Sequence, residues 1–502
     1  MILNPLESVV KFAGRFLTAA ASLAPAHVRR TLPSIITGVV LSAGARLSLT
    51  SMGAQVFSKR RHKSTMSRML RDGRFKTREL LWSAVKSALT ELGPKDGEVV
   101  EWLLALDGTA VQRGADTLIK GGIQTQPEKR TRAKAKGRAK VKNQHRKRGA
   151  QRWGRRTDGS SKKKGRRTKY YTFLIGSLTT HTGVRIPLGR YTCDPKDFKR
   201  RGRPRKMRLT QIDLAKILIE RAMSMLPEGV RLRVVADSYF EGEKLVALAR
   251  RRGFVFISPA DSGRCFADEA TPHRSNGICI RDYGLDLPED SFSRLDLSRG
   301  SEKTACFRRY APRKAGSEDQ RIYWLRHERR TVAKLGTVGV VYSWKTPVYE
   351  PRRNFKKASF KVLLCSDPTW TGARVVEWYE CRWTAIEILI RELKGRLGLD
   401  HYTGLDLEAM ERHIDLVLLG FLYLEMERHR LLEGAETRPA MRERAEGART
   451  HGMQDLVRWE ANQQLVQAIQ ASYTSERTRR RVKRFFREVH STLDAFDLSR
   501  AA

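Results

Sequence analysis

Three acidic residues stand where chemistry on phosphates could be done. Asp107 ends the apolar run Val99–Leu106 (VVEWLLAL), and Asp237 ends a second run, Val230–Ala236 (VRLRVVA). Both runs read as buried strands, and ligands of open α/β sheets bind at the C-terminal ends of strands. An acid at such an end is costly unless it meets a metal or another cation. Either aspartate alone could equally be a helix cap or a turn residue. Two such ends, separated by a hairpin and a helix, can lie side by side in a mixed sheet. The third acid, Glu387, lies in Tyr379–Lys394 (YECRWTAIEILIRELK), where Glu387 and Lys394 are seven residues apart and share a helix face. By itself that segment reads as an ordinary amphipathic helix with solvated charges. Three converging carboxylates could hold two hard divalent cations, about 3.5–4 Å apart, that activate an attacking oxygen and stabilise a leaving one. Phosphodiester chemistry is served by that arrangement.

The elements that must position these acids can be read around them. After Asp107, Tyr170–Ser177 (YYTFLIGS) and Val184–Tyr191 (VRIPLGRY) read as two strands joined at Thr182-Gly183. Thr210–Leu226 is a helix with an apolar stripe, Val230–Ala236 a strand, Glu243–Arg252 a helix and Phe254–Ile257 a short strand. This order predicts a mixed α/β domain. Residues 260–360 mix short β-like pieces, Ile322–Leu325 and Val338–Ser343, with many turn residues, and read as a β-rich insertion. Phe360–Cys365 returns to strand character. Helices are predicted over Tyr379–Leu397, Leu407–Arg430 and Asp455–Tyr473, followed by the basic amphipathic tail Arg477–Arg487. Toward the N-terminus, residues 1–95 read as helical. Met1–Ala26 is an amphipathic helix rather than a signal peptide, and Ser48–Phe75 fits either a helix-turn-helix or another small helical bundle.

Composition narrows the partners. The chain has 502 residues, 40% of them hydrophobic and 30% charged, enough for two to four domains with a sizeable core. Lys and Arg number 98 against 54 Asp and Glu, a net charge of +44. Such a charge self-repels unless a polyanion neutralises it, so nucleic acid is the expected partner, whether for an enzyme or for a chromatin-like binder. Glu128–Lys169 carries 20 basic and two acidic residues with little apolar content, and reads as a loosely ordered loop. The six cysteines contain no Cys-x-x-Cys pair and read as reduced, incidental thiols. No run approaches the ~18 apolar residues of a membrane span.

Three blocks resemble those of the DDE transposases of bacterial insertion sequences, in the group with a Tyr-Arg-Glu-Lys signature around the last acid. ALDGT (Ala105–Thr109) is similar to the first-aspartate block. VVADSYF (Val234–Phe240) is similar to the second, with an aromatic residue just after the aspartate. YECRWTAIEILIRELKGRLGLDHY (Tyr379–Tyr402) is similar to the third and is the most specific. The resemblance implies an RNase-H-like mixed-sheet catalytic domain, interrupted between Asp237 and Glu387 by a β-rich insertion and flanked by helical N- and C-terminal regions. The divisions expected are a helical DNA-binding region at 1–95, a catalytic domain at 96–259 and 361–430 with a basic loop at 128–169, the insertion at 260–360, and a helical basic region at 431–502.

The same resemblance assigns site residues. Asp107, Asp237 and Glu387 are implied as the catalytic trio holding two divalent ions, Mg²⁺ or alternatively Mn²⁺. Tyr379, Arg382 and Lys394 are implied to contact DNA backbone near the cut, with Trp383 packed beside it. The implied partners are double-stranded DNA, as terminal inverted repeats and as target, and a second copy of the chain on paired ends. The implied location is the cytoplasm of a bacterium, at the nucleoid, with no membrane partner. A hairpin intermediate would call for an extruded base stacked on an aromatic ring; Trp324 and Trp344 are candidates, the alternative being that both are core residues. One spacing departs from the group: four residues, Trp383–Ile386, separate Arg382 from Glu387 instead of three. One residue turns a helix by ~100°. Either the helix begins after Trp383, or Arg382 is off the group's position. Two other readings remain open, an RNase-H-like nuclease that cuts without joining and a non-catalytic basic nucleic-acid binder.

Overall fold

The computed structural model describes chiefly residues 76–113, 169–193, 209–267, 277–297, 322–345, 360–402 and 407–433. The basic tract (apart from Lys169), the Ser48–Phe75 segment (apart from Leu70) and the Arg477–Arg487 tail lie outside the described residues.

Backbone pairing organises these residues into one mixed α/β layer. Strand β1 (Val100–Arg113) runs parallel to β5 (Val230–Ala236), which runs parallel to β6 (Val255–Pro259). On the other side β1 pairs antiparallel with β3 (Lys169–Thr179), and β3 pairs with β4 (Arg185–Thr192) and at its start with β2 (Gln124–Thr125). Beyond β6 the sheet continues antiparallel through β10 (Lys361–Cys365), β9 (Gly336–Trp344), β8 (Ile322–Val332) and β7 (Ser293–Asp296). The described strands of 260–360 therefore lengthen the same sheet, because β9 pairs directly with β10.

The strands and helices form for local reasons. Trp102 to Leu106 are all buried, as befits a strand covered on both faces. The β3–β4 turn contains Gly183 at φ 81°, as the Thr182-Gly183 signal anticipates. Helix α1 (Thr77–Glu91) precedes β1. Helix α2 (Gln211–Met223) opens on a capping box, Thr210 accepting from the Asp213 N–H and Asp213 accepting from the Thr210 N–H. Helix α3 (Glu243–Arg252) ends on Gly253 at φ 73°. Helix α4 (Ile280–Asp286) lies between β6 and β7. Helix α5 (Gly372–Arg382) is capped by Thr371 and continues through Trp383–Glu387 into α6 (Ile388–Gly395). The long α7 (Leu407–Glu433) packs on α1 and β4. No helix among the described residues is long and apolar enough to cross a membrane.

One buried polar network ties this frame together. Arg185 of β4 is 1% exposed, and its guanidinium reaches Glu425 of α7 at 2.8 Å and Glu392 of α6 at 3.0 Å. Its backbone N–H donates to the other Glu425 oxygen at 3.0 Å. Arg428 adds contacts at 3.3 Å to Glu425 and at 3.0 Å to the Gly183 carbonyl. Burial alone would raise the Glu425 pKa, but Arg185 and Arg428 outweigh it and hold the carboxyl below its usual range. Breaking a buried pair from one side leaves an uncompensated charge. Arg185→Met is therefore expected to destabilise the protein by about 3–5 kcal/mol in chemical denaturation. A loss below about 1 kcal/mol, the range of exposed ion pairs, would mean the network does not hold α6 and α7 to the sheet.

Candidate active site

The register of β1 against β5 brings the two aspartates together. The parallel pairing ends at Leu106↔Ala236, so Asp107 and Asp237 are the next residue on each strand. In-register neighbours on adjacent parallel strands point to the same face, about 4.8 Å apart along the sheet. Sequence reading ends the first strand at Leu106; in the structure β1 runs on to Arg113, paired with β3. Asp107 is thus the point where β1 leaves its parallel partner while keeping its antiparallel one. The Asp107 carboxylate accepts from the Gly108 N–H at 2.8 Å. Asp237 caps the short 3₁₀ turn Ser238–Phe240, accepting from the Tyr239 N–H at 2.9 Å.

Glu387 arrives from the helix opposite. Trp383–Glu387 is a π-turn, with the Ile388 N–H donating to the Trp383 carbonyl five residues back. The extra residue between Arg382 and Glu387 is absorbed there. The helix neither starts after Trp383 nor carries Arg382 away from Glu387. Arg382 Nη1 donates to Glu387 Oε1 at 2.6 Å, and its Nη2 lies 3.6 Å from Asp107 Oδ2. Thr384, Ala385 and Ile386 are buried by this turn, which packs against β1 and β3, while Trp383 is 43% exposed.

The remaining implied residues surround this centre. Lys394 donates to the Ala110 carbonyl of β1 at 2.7 Å, which holds it to the strand that carries Asp107. Tyr379 is buried, and the Lys361 ammonium lies 5.4 Å from its ring centre. Burial pushes the Tyr379 hydroxyl up to about 12; Arg382 opposes this, while Asp237, Glu380 and Glu387 add to it. The Arg391 guanidinium lies 5.5 Å from the exposed Trp383 ring. Trp344 is a core residue, 7% exposed and 4.6 Å from Phe360 between ring centres, and Trp324 pairs with it across β8 and β9, packed against the core. The five cysteines among the described residues are free thiols.

The charge balance indicates what the trio can take. Burial, with the neighbouring Asp237 and Glu387 carboxylates, raises the Asp107 pKa from 3.8 to about 6, even though Arg382 and the Gly108 N–H pull it down. Burial of Asp107 thus outweighs the arginine beside it. Three carboxylates offer hard oxygen ligands alone, the set that suits Mg²⁺ or Mn²⁺. Among the described residues no three His, Cys, Asp or Glu side chains stand at metal-ligand spacing, and Arg382 lies between Asp107 and Glu387. One further cation, Lys361, escapes sequence reading. It sits at the exposed start of β10, and the crowding around its ammonium lowers its pKa, with Glu380 opposing. A basic residue opening an otherwise apolar strand is its only signal in the sequence.

No family model matches the sequence, and a comparison with curated proteins gives no match.

The Asp107 shift has a sign that can be checked. Below pH 3.8 the folded and unfolded chains both hold the proton. As pH rises through about 6 the folded state must give up a proton it binds more tightly, so stability falls across this window and stays lower above it. Asp107→Asn is expected to raise the melting temperature of the metal-free protein most at about pH 8, with the gain shrinking steadily toward about pH 4. A gain independent of pH would mean that burial beside the other carboxylates does not raise the Asp107 pKa.

Proposed function

We propose that this chain is a DDE transposase, which cleaves at the ends of an insertion sequence and joins the freed 3′ ends to target DNA. The observation that carries the reading is the in-register pair Asp107 and Asp237, with Glu387 delivered to the same pair and linked to Asp107 through Arg382. The strand order β4-β3-β1-β5-β6, an antiparallel meander followed by two parallel strands, supports an RNase-H-like catalytic domain. The net charge of +44 supports a duplex DNA partner.

In this reading Asp107, Asp237 and Glu387 hold two divalent ions, Mg²⁺ or Mn²⁺, which when bound supply an activated oxygen nucleophile and stabilise the leaving oxygen. The chain's own residues do the positioning. Lys394 sits beside β1 and Lys361 beside Tyr379, adding positive charge around the site. Arg382 offers the planar donor pair that suits a phosphate. The exposed Trp383 supplies an apolar wall next to it. Water attacks the phosphodiester at the element end, and the 3′ hydroxyl released then attacks a target phosphodiester, so one set of carboxylates serves both steps. Two copies of the chain bring two ends together.

The test uses the full chain, Mg²⁺, a labelled duplex carrying the inverted repeat that flanks the gene, and a supercoiled target. The expected result is end cleavage followed by joined product. Asp107→Ala should reduce both to the level of DNA alone while end binding in a mobility-shift assay persists. Cleavage without joined product would select the nuclease reading. Binding lost together with cleavage would give Asp107 a structural role.

The basic tract yields a separate expectation. Removing Glu128–Lys169 lowers the net charge from +44 to about +26, so the remainder still binds DNA. As a clamp that follows phosphates next to the site, the tract adds affinity without sequence preference. Its deletion should weaken end binding and flatten the dependence of affinity on salt, yet leave discrimination between ends and random DNA. An unchanged salt slope would mean the tract touches no phosphates.

A further inference from the structure

Arg382 stands in an unusual position for a residue expected to hold DNA. Its guanidinium points inward, 2.6 Å from Glu387 and within 3.6 Å of Asp107, and the residue is 9% exposed. Its buried Nε has no acceptor among the described residues. The π-turn creates this position. In a regular α-helix a residue five places on is rotated by about 140°, whereas a π-turn returns residues i and i+5 to nearly one face. The oxygens that Arg382 occupies, Glu387 Oε1 and Asp107 Oδ2, belong to the carboxylates that would ligate a divalent ion. Such an ion sits about 2.0–2.6 Å from its oxygen ligands. A guanidinium donating to the same oxygens cannot keep its place beside it.

We propose that Arg382 is the resident counter-ion of the carboxylate cluster, displaced when a divalent metal ion binds and thereby released to take a DNA phosphate. This rests on the metal-dependent reading above. It makes metal and DNA binding mutually supportive: each removes the partner that the other must compete with. Other groups around the site have fixed commitments. Lys394 is tied to the Ala110 carbonyl, and Lys361 lies over the Tyr379 ring facing Glu380. Arg382 bridges two of the three acids.

Mn²⁺ binding to the full chain, without DNA, tests the idea by the loss of the free-ion signal in electron paramagnetic resonance. A ligand whose site is blocked most of the time binds more weakly by the fraction that is open. Arg382→Gln is expected to bind Mn²⁺ about tenfold or more tightly than the unaltered chain. Arg382→Lys, which loses the two-pronged contact but keeps the charge, should shift the same way by a smaller factor and serves if the glutamine variant folds poorly. A short duplex should tighten Mn²⁺ binding by the unaltered chain and have a smaller effect on Arg382→Gln. Adding Asp237→Asn to Arg382→Gln should cancel the gain, locating the ion at the cluster. Equal or weaker binding by both Arg382 variants would overturn the proposal and make Arg382 a fixed strut. Tight binding that survives Asp237→Asn would overturn it as well. Absence of Mn²⁺ binding in every variant would remove the metal reading itself, and the proposal with it.

Discussion

Gly229 and Val100 set the register from which the acidic site follows. Gly229 turns the chain into β5 at φ 82°, and a Cβ there would come within 2.3 Å of the Glu98 carbonyl oxygen, so the close approach requires glycine. Its carbonyl accepts from the Val100 N–H at 3.0 Å. From that bond the two strands step in phase to Leu106↔Ala236, and the next residue on each is an aspartate. A slip of one residue would turn one carboxylate to the opposite face. Burial of Asp107, with the Asp237 and Glu387 carboxylates beside it, raises its pKa against the pull of Arg382. Arg382 is the cation that stands beside this pair, so the helix that carries Arg382 and Glu387 has to be held at the right height above the strands.

That height is fixed from behind. Glu392 lies five residues after Glu387 on the continuous helix and is 7% exposed, paired with Arg185 of β4 at 3.0 Å. Arg190, five residues further along β4, joins Asp415 of α7 at 3.2 Å, and Thr77 of α1 donates to the same carboxylate at 2.6 Å. The two arginines of β4 thus bolt α6, α7 and α1 to one strand. The π-turn sits between this anchor and Arg382. Such turns forgo regular hydrogen bonding and recur at functional sites; here the side chains of Thr384, Ala385 and Ile386 are buried in compensation, and Thr384 also donates to the Phe307 carbonyl.

Much of the sheet was legible because its residues report on one partner surface only. The runs Val230–Ala236 and Phe360–Cys365 have strand character, and the structure makes strands of Val230–Ala236 and Lys361–Cys365. The apolar stripe of Thr210–Leu226 reads as a helix, and the structure has one over Gln211–Met223. What could not be read depends on pairings between distant segments. That β9 joins β10 and makes the 322–344 hairpin part of the same sheet is written in no local pattern. Nothing local marks Arg185 and Arg190 as buried, since only the arrival of Glu392, Glu425 and Asp415 from more than 200 positions away makes their burial tolerable. The extra residue between Arg382 and Glu387 was visible as an anomaly, but its resolution as a π-turn requires knowing which faces the flanking helices must keep.

The distribution of charge explains how a chain of +44 can keep an acidic centre usable. A phosphodiester approaching Asp107, Asp237 and Glu387 meets three like charges, so its approach is unfavourable unless cations stand between. Arg382 stands among the acids, Lys394 beside β1, Lys361 and Lys345 along the Tyr379 side, and Arg391 next to Trp383. Long-range attraction from the whole surface can concentrate DNA nearby, but it is screened within about 10 Å at moderate salt. The last approach is governed by these few side chains. On the proposed function such a site would be selective about sequence of events: a polyanion alone would gain little from the acids, and a metal ion alone would have to displace the Arg382 guanidinium.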